Sequence, residues 1–460
     1  MNTVAGLAAN PALPVSLMLR MLQSEAMAEA LPYLAGRADL PEPVVKAFLD
    51  HPDAEVRACF AGNPHIPAEI RSRLAGDPEL RVRWALAEGP QRRRFGSWAT
   101  PLTGAAYDLL ARDPCLEVRC ALAQGWQTPA SVLAVLACDP EPEVRKAACF
   151  GWDRLPEQIR ATLLKDVDPS VRRVARLKGY PQRPDLLEEI LTSDDALQVA
   201  GEAPLPRGVA EHYVRSDDTE RRRLVATNPH LERDLVEELS TDPDPGIRLI
   251  VSLRPDLAEA ERAAIDYDPD LHMVHLPLPW MRKVFTDACA MARHAESAHV
   301  VLRRSVACNP DLEPDLVERL ARDDDRAVRL LLAEHHPAAP ADLLLRVVLD
   351  GAGYSEGELT GRPCFPRTGL AGWADSPHPD RRRLVVLDPH TPVGVIERLS
   401  HDQERGVRMA MARDPRLPVA RLLALLQDRD RQVAFSAAAN PALPVEIMTR
   451  IIRTACSRDE

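Results

Sequence analysis

One sentence of residues recurs along this chain. Its clearest copy, residues 63–89, reads NPHIPAEIRSRLAGDPELRVRWALAEG: an Asn-Pro, a second Pro, an apolar stretch, an Asp-Pro, then Val-Arg and a small apolar run. Related copies begin near Asn10, Arg37, Ser97, Gly125, Gly151, Gly179, Ala203, Asn228, Arg254, Trp280, Asn309, His336, Arg362, Asp388, Asp414 and Asn440, mostly 25 to 28 residues apart. Val4 to Ala9 reads as the tail of one further copy, and the two ends echo each other as NPALPVSLMLRML and NPALPVEIMTRII. A period of this length means stacked structural repeats, because one copy is too small to bury its own apolar face.

Each copy reads as two short helices. The second proline (Pro67, Pro129, Pro156, Pro392, Pro444) suits the first helical position, where a missing N–H costs nothing. Apolar residues follow three and seven places later, as in Ile70 and Leu74 or Val132 and Leu136, and so share one helical face. The Asp-Pro pairs, such as Asp77-Pro78, Asp139-Pro140 and Asp168-Pro169, then read as N-cap and first residue of the second helix. That helix turns Val82, Ala85 and Leu86, or Val118, Ala121 and Leu122, inward. Gly62-Asn63 and Gly89 are expected to close helices in the left-handed conformation. Helices this short are marginal alone, so stacking must supply their stability. The expectation is an all-α chain of about 17 two-helix repeats of roughly 26 residues, forming one continuous α-solenoid over residues 1–460. A short basic insertion interrupts it at 90–97, and degraded repeats fall at 280–308 and 336–361.

Composition narrows the function classes. The net charge of −11 opposes a general nucleic-acid coat, since backbone binding depends on neutralising phosphate. The nine cysteines are scattered without a CxxC pair, which excludes a zinc knuckle or a disulfide framework as a sequence reading. No apolar run approaches the ~18 residues that span a bilayer, and the start lacks a basic leader pattern. A reducing cytoplasm is the expected compartment, and the bias to Arg and Ala reads as a G+C-rich bacterial coding sequence.

The combination NPxxP, apolar run, DPxxxVR and small apolar helix resembles the leucine-rich repeat variant family, and its DPxxxVR half is similar to the HEAT repeat. The resemblance runs through essentially the whole chain. It implies a right-handed superhelix in which one helix of each unit is closer to 3₁₀. Some relatives carry an N-terminal cysteine-rich segment holding an iron–sulfur cluster; with no cysteine before Cys59, that cofactor is not carried over, and no cofactor or metal is expected.

Several polar and aromatic patterns are candidates for function. An arginine ladder (Arg57, Arg83, Arg119, Arg145, Arg173, Arg222, Arg248, Arg303, Arg329, Arg382, Arg408) has an Asp five or six residues earlier in most units, which suits pairing between adjacent units. Extra arginines flank it at Arg92, Arg93 and Arg94, at Arg221 to Arg223, at Arg303 and Arg304, and at Arg381 to Arg383. Large rings replace the unit-start proline at Trp98, Trp126, Trp152 and Tyr180, with Trp280 recurring later; such rings anchor partners where they are exposed. The unit from Trp280 brings His294 and His299 without a recognisable metal spacing, and residues 351–361, GAGYSEGELTG, replace a second helix by a loop without the P-loop context.

No catalytic motif is present. The chain therefore reads as a non-enzymatic interaction scaffold for a protein or peptide partner. The alternative is a HEAT-like solenoid that binds nucleic acid along an arginine-lined face. The candidate contacts are Trp98, Trp126, Trp152, Tyr180, Arg92, Arg93, Arg94, Arg221, Arg222, Arg223, Arg303, Arg304, Arg381, Arg382 and Arg383. The alternative requires the extra arginines to lack acidic neighbours.

Overall fold

A computed structural model describes residues 2–89, 100–268 and 276–457. Every regular element among them is helical and none is a strand. The chain forms two compact units, one from Met1–Lys178 with Arg367–Glu460 and the other from Gly179–Pro366. The basic insertion at 90–97 lies outside the described residues.

The repeated sentence maps onto helix pairs with small shifts from the expected caps. Pro67 does not open its helix but precedes it, at φ −52° and ψ 145°, before Ala68–Ser72. Pro129, Pro156, Pro392 and Pro444 do the same. The reason is geometric. An N-cap residue is extended, yet its carbonyl already accepts helix bonds, as Pro67 O does from the Ile70 and Arg71 amides. Ring-fixed φ suits that position equally well. Leu74 is buried on this first helical segment, and Ile70 packs half-buried beside the core. The segment tightens into a 3₁₀ turn at Arg73–Gly76.

Asp77 likewise sits outside the second helix, Leu80–Glu88, two residues before its N-cap Glu79. Its carboxylate accepts from the Glu79 amide at 2.9 Å and is otherwise committed to Arg57. True aspartate caps occur two places later in the pattern. Asp53, Asp244 and Asp325 each accept an N–H of the second helix. Val82 and Leu86 of that helix, and their counterparts Val118 and Leu122, are fully buried. Of the expected left-handed closures, Gly89 has φ 75°, a region open to glycine but costly for L-residues, whereas Gly62 is right-handed at φ −80°.

Two ladders of side chains join successive helix pairs. In the first, Arg57 grips Asp77 of the following pair through two bonds of 2.7 and 2.8 Å and donates a third nitrogen to the carbonyls of His51 and Pro52. The same fork joins Arg83 to Asp113, Arg119 to Asp139, Arg145 to Asp166, Arg222 to Asp242, Arg303 to Asp323, Arg382 to Asp402 and Arg408 to Asp428. In the unit after Asp166 the ladder residue is Arg172, not Arg173, because Arg172 donates to the Asp166 and Val167 carbonyls. Asp168-Pro169 is therefore a helix cap, two places beyond the ladder aspartate.

The second ladder uses the first residue of the repeat. Asn63 donates to the Ala35 and Arg37 carbonyls of the preceding unit and accepts from the His65 amide. Asn228 and Asn440 repeat this arrangement. Arg37 and Arg254 fill the same position with a longer arm, reaching the matching pair of carbonyls. Buried carbonyls left over between helices are thus satisfied by the neighbouring unit.

The second ladder also joins the two chain ends. Asn10 donates to Ala438 O at 2.9 Å and Asn440 O at 2.7 Å and accepts from the Ala12 amide. Its partners lie one unit back if the C-terminal repeat is followed directly by the N-terminal one. Helix Asn2–Ala8 packs against helix Arg431–Ala438 and against Val445–Cys456. The C-terminal repeat has a first helix, Val445–Cys456, but its described chain ends before a second; Asn2–Ala8 occupies that second place. The approach is close: a Cβ on Gly6 would lie 2.4 Å from Phe435 O. Tyr33 meets Phe435 with ring centroids 5.5 Å apart, and Cys456 Sγ donates to Ser24 Oγ at 3.4 Å. One continuous apolar core accordingly runs through both segments of this unit.

Candidate functional site

The second compact unit holds a groove of about 700 Å³ lined by matching positions of successive repeats. Pro181, Pro204, Pro229 and Pro255 are the prolines at or beside the repeat starts, and Tyr180, Ile250, Leu253, Leu278, Pro279 and Trp280 add apolar surface. The repeat-start prolines Pro204, Pro229 and Pro255 are exposed, as is Pro181 beside Tyr180, while Tyr180, Ile250 and Trp280 are half-buried. Each stands there for a local reason. Proline holds the extended turn before a first helix, so its ring projects once per repeat. The indole of Trp280 is fixed by donating to Leu253 O at 3.0 Å. Tyr180 opens the 3₁₀ turn Tyr180–Gln182, and burial, with Glu202 nearby, raises its phenol pKa and keeps it neutral. Glu202, His230 and Lys283 form the polar edge. Arg254 also lines the groove, but its charge is committed to Asp256 and to the carbonyls of Ala226 and Asn228.

The candidate aromatics therefore separate. Tyr180 and Trp280 line one groove. Trp280 does so from helix Pro279–Lys283 rather than from a repeat start. Trp126, 38% exposed, lies in the other unit on a different cleft. Trp152 is only 5% exposed and belongs to the core, because the 3₁₀ turn Cys149–Arg154 carries its ring inward. Trp98 lies outside the described residues, as do Arg92, Arg93 and Arg94.

The extra arginines have partners. Arg221 lies 3.5 Å from Asp218. Arg223 pairs with Glu220 at 2.6 Å and faces Asp244. Arg304 meets Asp325 at 2.8 Å, and Arg383 meets Asp380 at 3.2 Å. Arg381 lies over the Trp373 ring, 5.6 Å from its centroid. Arg222, Arg303 and Arg382 belong to the ladder. Exposed pairs of this kind contribute little stability, but they neutralise the cations.

The degraded repeat holds a buried polar knot. His299 Nε2 lies 2.9 Å from Ser252 Oγ, and its ring stacks on Tyr267 at 4.1 Å. Burial, with Arg262 nearby, pushes the His299 pKa down to about 4, and burial also lowers that of His294. Ser252 Oγ donates to Leu249 O at 2.6 Å. The serine and His299 are both almost wholly buried. Among the described residues, no three His, Cys, Asp or Glu side chains are grouped to hold a metal. The glycine-rich stretch at 351–361 is not a loop throughout; Glu356–Gly361 is helical and buries Leu359.

Sequence reasoning missed the repeat-start prolines as a lining, and missed Trp84, whose ring is 41% exposed. The proline signal was present in the repeat itself, where only the second proline was given a structural role. Trp84 stands at a solvent-facing helix position with no repeat-wide pattern to mark it. No protein-family model matches the chain, and no curated protein matches its sequence.

Proposed function

We propose that this chain is an α-solenoid of the leucine-rich repeat variant type, and that it serves as a non-enzymatic scaffold holding an extended apolar segment of a protein partner. The observation that carries this reading is the groove in the second compact unit, lined by the same proline position of successive repeats with Tyr180 and Trp280 among them. Packed helical layers are spaced about 8–10 Å apart, and three residues of polyproline II advance about 9 Å. An extended peptide can therefore place one apolar side chain against each repeat. Apolar, aromatic-lined grooves suit such peptides, whose ordering cost is low. The acid partners of Arg221, Arg223, Arg304 and Arg383 favour this reading over nucleic-acid binding, which needs uncommitted cations.

Selection of a displayed random-peptide library on the immobilised full chain tests the proposal. The expected winners carry apolar residues at intervals of three and lose affinity for a Pro229→Glu/Pro255→Glu double variant. Both prolines are exposed, so the fold should tolerate the change. Winners that bind the wild type and this variant equally would overturn it. So would tight binding of a duplex DNA of random sequence that weakens steeply with salt.

A further inference from the structure

The first compact unit carries a cleft of different chemistry, and its position follows from helix geometry. Trp84 and Glu88 are four residues apart on the second helix Leu80–Glu88, and so share a face. Glu117, Cys120, Ala121 and Gln124 stand at i, i+3, i+4 and i+7 on the next second helix, Leu116–Gln124, which packs beside it. Trp126 follows that helix after one glycine. These side chains line a cleft of about 460 Å³.

Its composition is specific. Among the described residues, the only charged ones lining it are two carboxylates, Glu88 and Glu117, both exposed. Two indoles, 41% and 38% exposed, stand beside them, where a soluble surface normally hides such rings. The Glu117 carboxylate accepts from Cys115 Sγ at 2.5 Å, and that bond holds its pKa below the usual carboxylate range. Burial raises the Cys120 thiol pKa, so it stays neutral and adds no charge. An indole face attracts a cation through its quadrupole, and a neighbouring carboxylate adds direct charge attraction.

We propose that this cleft is a second binding site, one that receives a basic side chain, arginine or lysine, of a protein partner. The cation would lie against the exposed Trp84 ring and between the carboxylates of Glu88 and Glu117. The apolar floor at Ala121 would cover its methylene stem. The site is separate from the apolar groove in the other compact unit and does not depend on it.

The test is fluorescence polarisation of a fluorescein-labelled hexa-arginine peptide against the full chain at about 0.15 M salt, where diffuse surface attraction is screened. Trp84→Ala and, separately, Glu88→Gln/Glu117→Gln are each expected to weaken binding about tenfold, with Trp84→Phe closer to wild type. Glu157→Gln/Glu446→Gln removes the same charge from exposed positions elsewhere in this unit and should change affinity less than about twofold. All five positions are exposed, and circular dichroism melting confirms that each variant folds. Equal weakening by both glutamate pairs would overturn the site in favour of diffuse electrostatics. Absence of wild-type binding, or wild-type affinity in the Trp84→Ala protein, would overturn it as well.

Discussion

Replacing Asn10 by alanine tests whether the two chain ends meet as two successive repeats do. The Asn10 side chain is fully buried and makes three hydrogen bonds, two given to Ala438 O and Asn440 O and one received from the Ala12 amide. A buried hydrogen bond contributes about 0.5–1.5 kcal/mol net, and a carbonyl stranded by its loss adds a desolvation cost. Part of the cost would be relieved by water entering at the joint, so the expected loss is about 2–4 kcal/mol. Asn63→Ala removes the same three bonds at an interior joint and sets the scale. A repeat protein this long is not a two-state unfolder, so a single melting temperature would blur the effect. Native-state hydrogen exchange is the better assay, since it reads local opening segment by segment. Helix Asn2–Ala8 is seven residues long and has no protection of its own in water. Slow exchange there in the wild type would already report docking. In Asn10→Ala its amides, and those of Arg431–Ala438 against it, should exchange about 30- to 1000-fold faster, while residues near Asn63 stay unchanged. The reasoning fails if Asn2–Ala8 is unprotected in the wild type, or if Asn63→Ala accelerates its own joint and Asn10→Ala accelerates nothing.

The arginine ladder and the buried histidine make two further predictions. Asp77→Ala strands a buried Arg57 guanidinium and should cost about 3–5 kcal/mol, whereas Arg57→Met/Asp77→Leu removes both charges and should cost clearly less; urea unfolding followed by circular dichroism separates the two. Stability should fall with acid in two stages. His299 is 2% exposed with a pKa of about 4, so between the ordinary histidine value of about 6.5 and 4 the unfolded chain binds the extra proton, and about 3 kcal/mol is lost as pH drops through that window. The Arg145 and Arg382 guanidinium groups, hydrogen-bonded to Asp166 and Asp402, hold those carboxyls below the usual range. Their contribution is present above about pH 4 and is lost as pH falls further. Thermal melts of wild type and His299→Gln from pH 7 to 3 check the order, and a variant whose stability still declines in the upper window would exclude His299 as its cause.

Much of the local structure was legible because the repeat states the same physics many times. Val82 and Val118 are buried, Arg57 and Arg119 pair forward to the next aspartate, and Pro67 and Pro129 stand at helix entries. What failed were assignments needing one-residue precision. Asp77 and Asp244 both look like caps, but only Asp244 gives its carboxylate to the helix amides, because the ladder arginine claims the carboxylate two places earlier. Arg173 keeps the five-residue spacing from Asp168, but Arg172 keeps the Val-Arg pair of the repeat, and it is Arg172 that meets Asp166 O. The candidate sites were harder still. Aromatic substitution at one repeat position was visible, but whether a ring faces solvent depends on how the turn before it is wound. Trp152 is drawn inward by its 3₁₀ turn while Trp126 is not.

The meeting of the ends was written in the sequence in a form that repeat counting discards. The described C-terminal repeat has a first helix, Val445–Cys456, and helix Asn2–Ala8 packs where its second helix would stand. Each half alone would expose one apolar face: Leu7 and Ala8 on one side, Met448 and Ile452 on the other, all now buried. Both repeats at this joint keep the apolar consensus, NPALPV, at Asn10 and Asn440. The joint differs from those at Asn63 and Asn228 in a single respect. Val4 and Ser24 occupy the places where Arg57 and Asp77 would form the ion pair, so packing and the Asn10 bonds hold it without the charged fork. The Asn63 and Asn228 joints have both ladders; this one, like the Asn440 joint with Ala434 and Thr454 in the fork places, has only the second. Opening should therefore begin at these two joints, and the same exchange experiment would show both as less protected than the joints at Asn63 and Asn228.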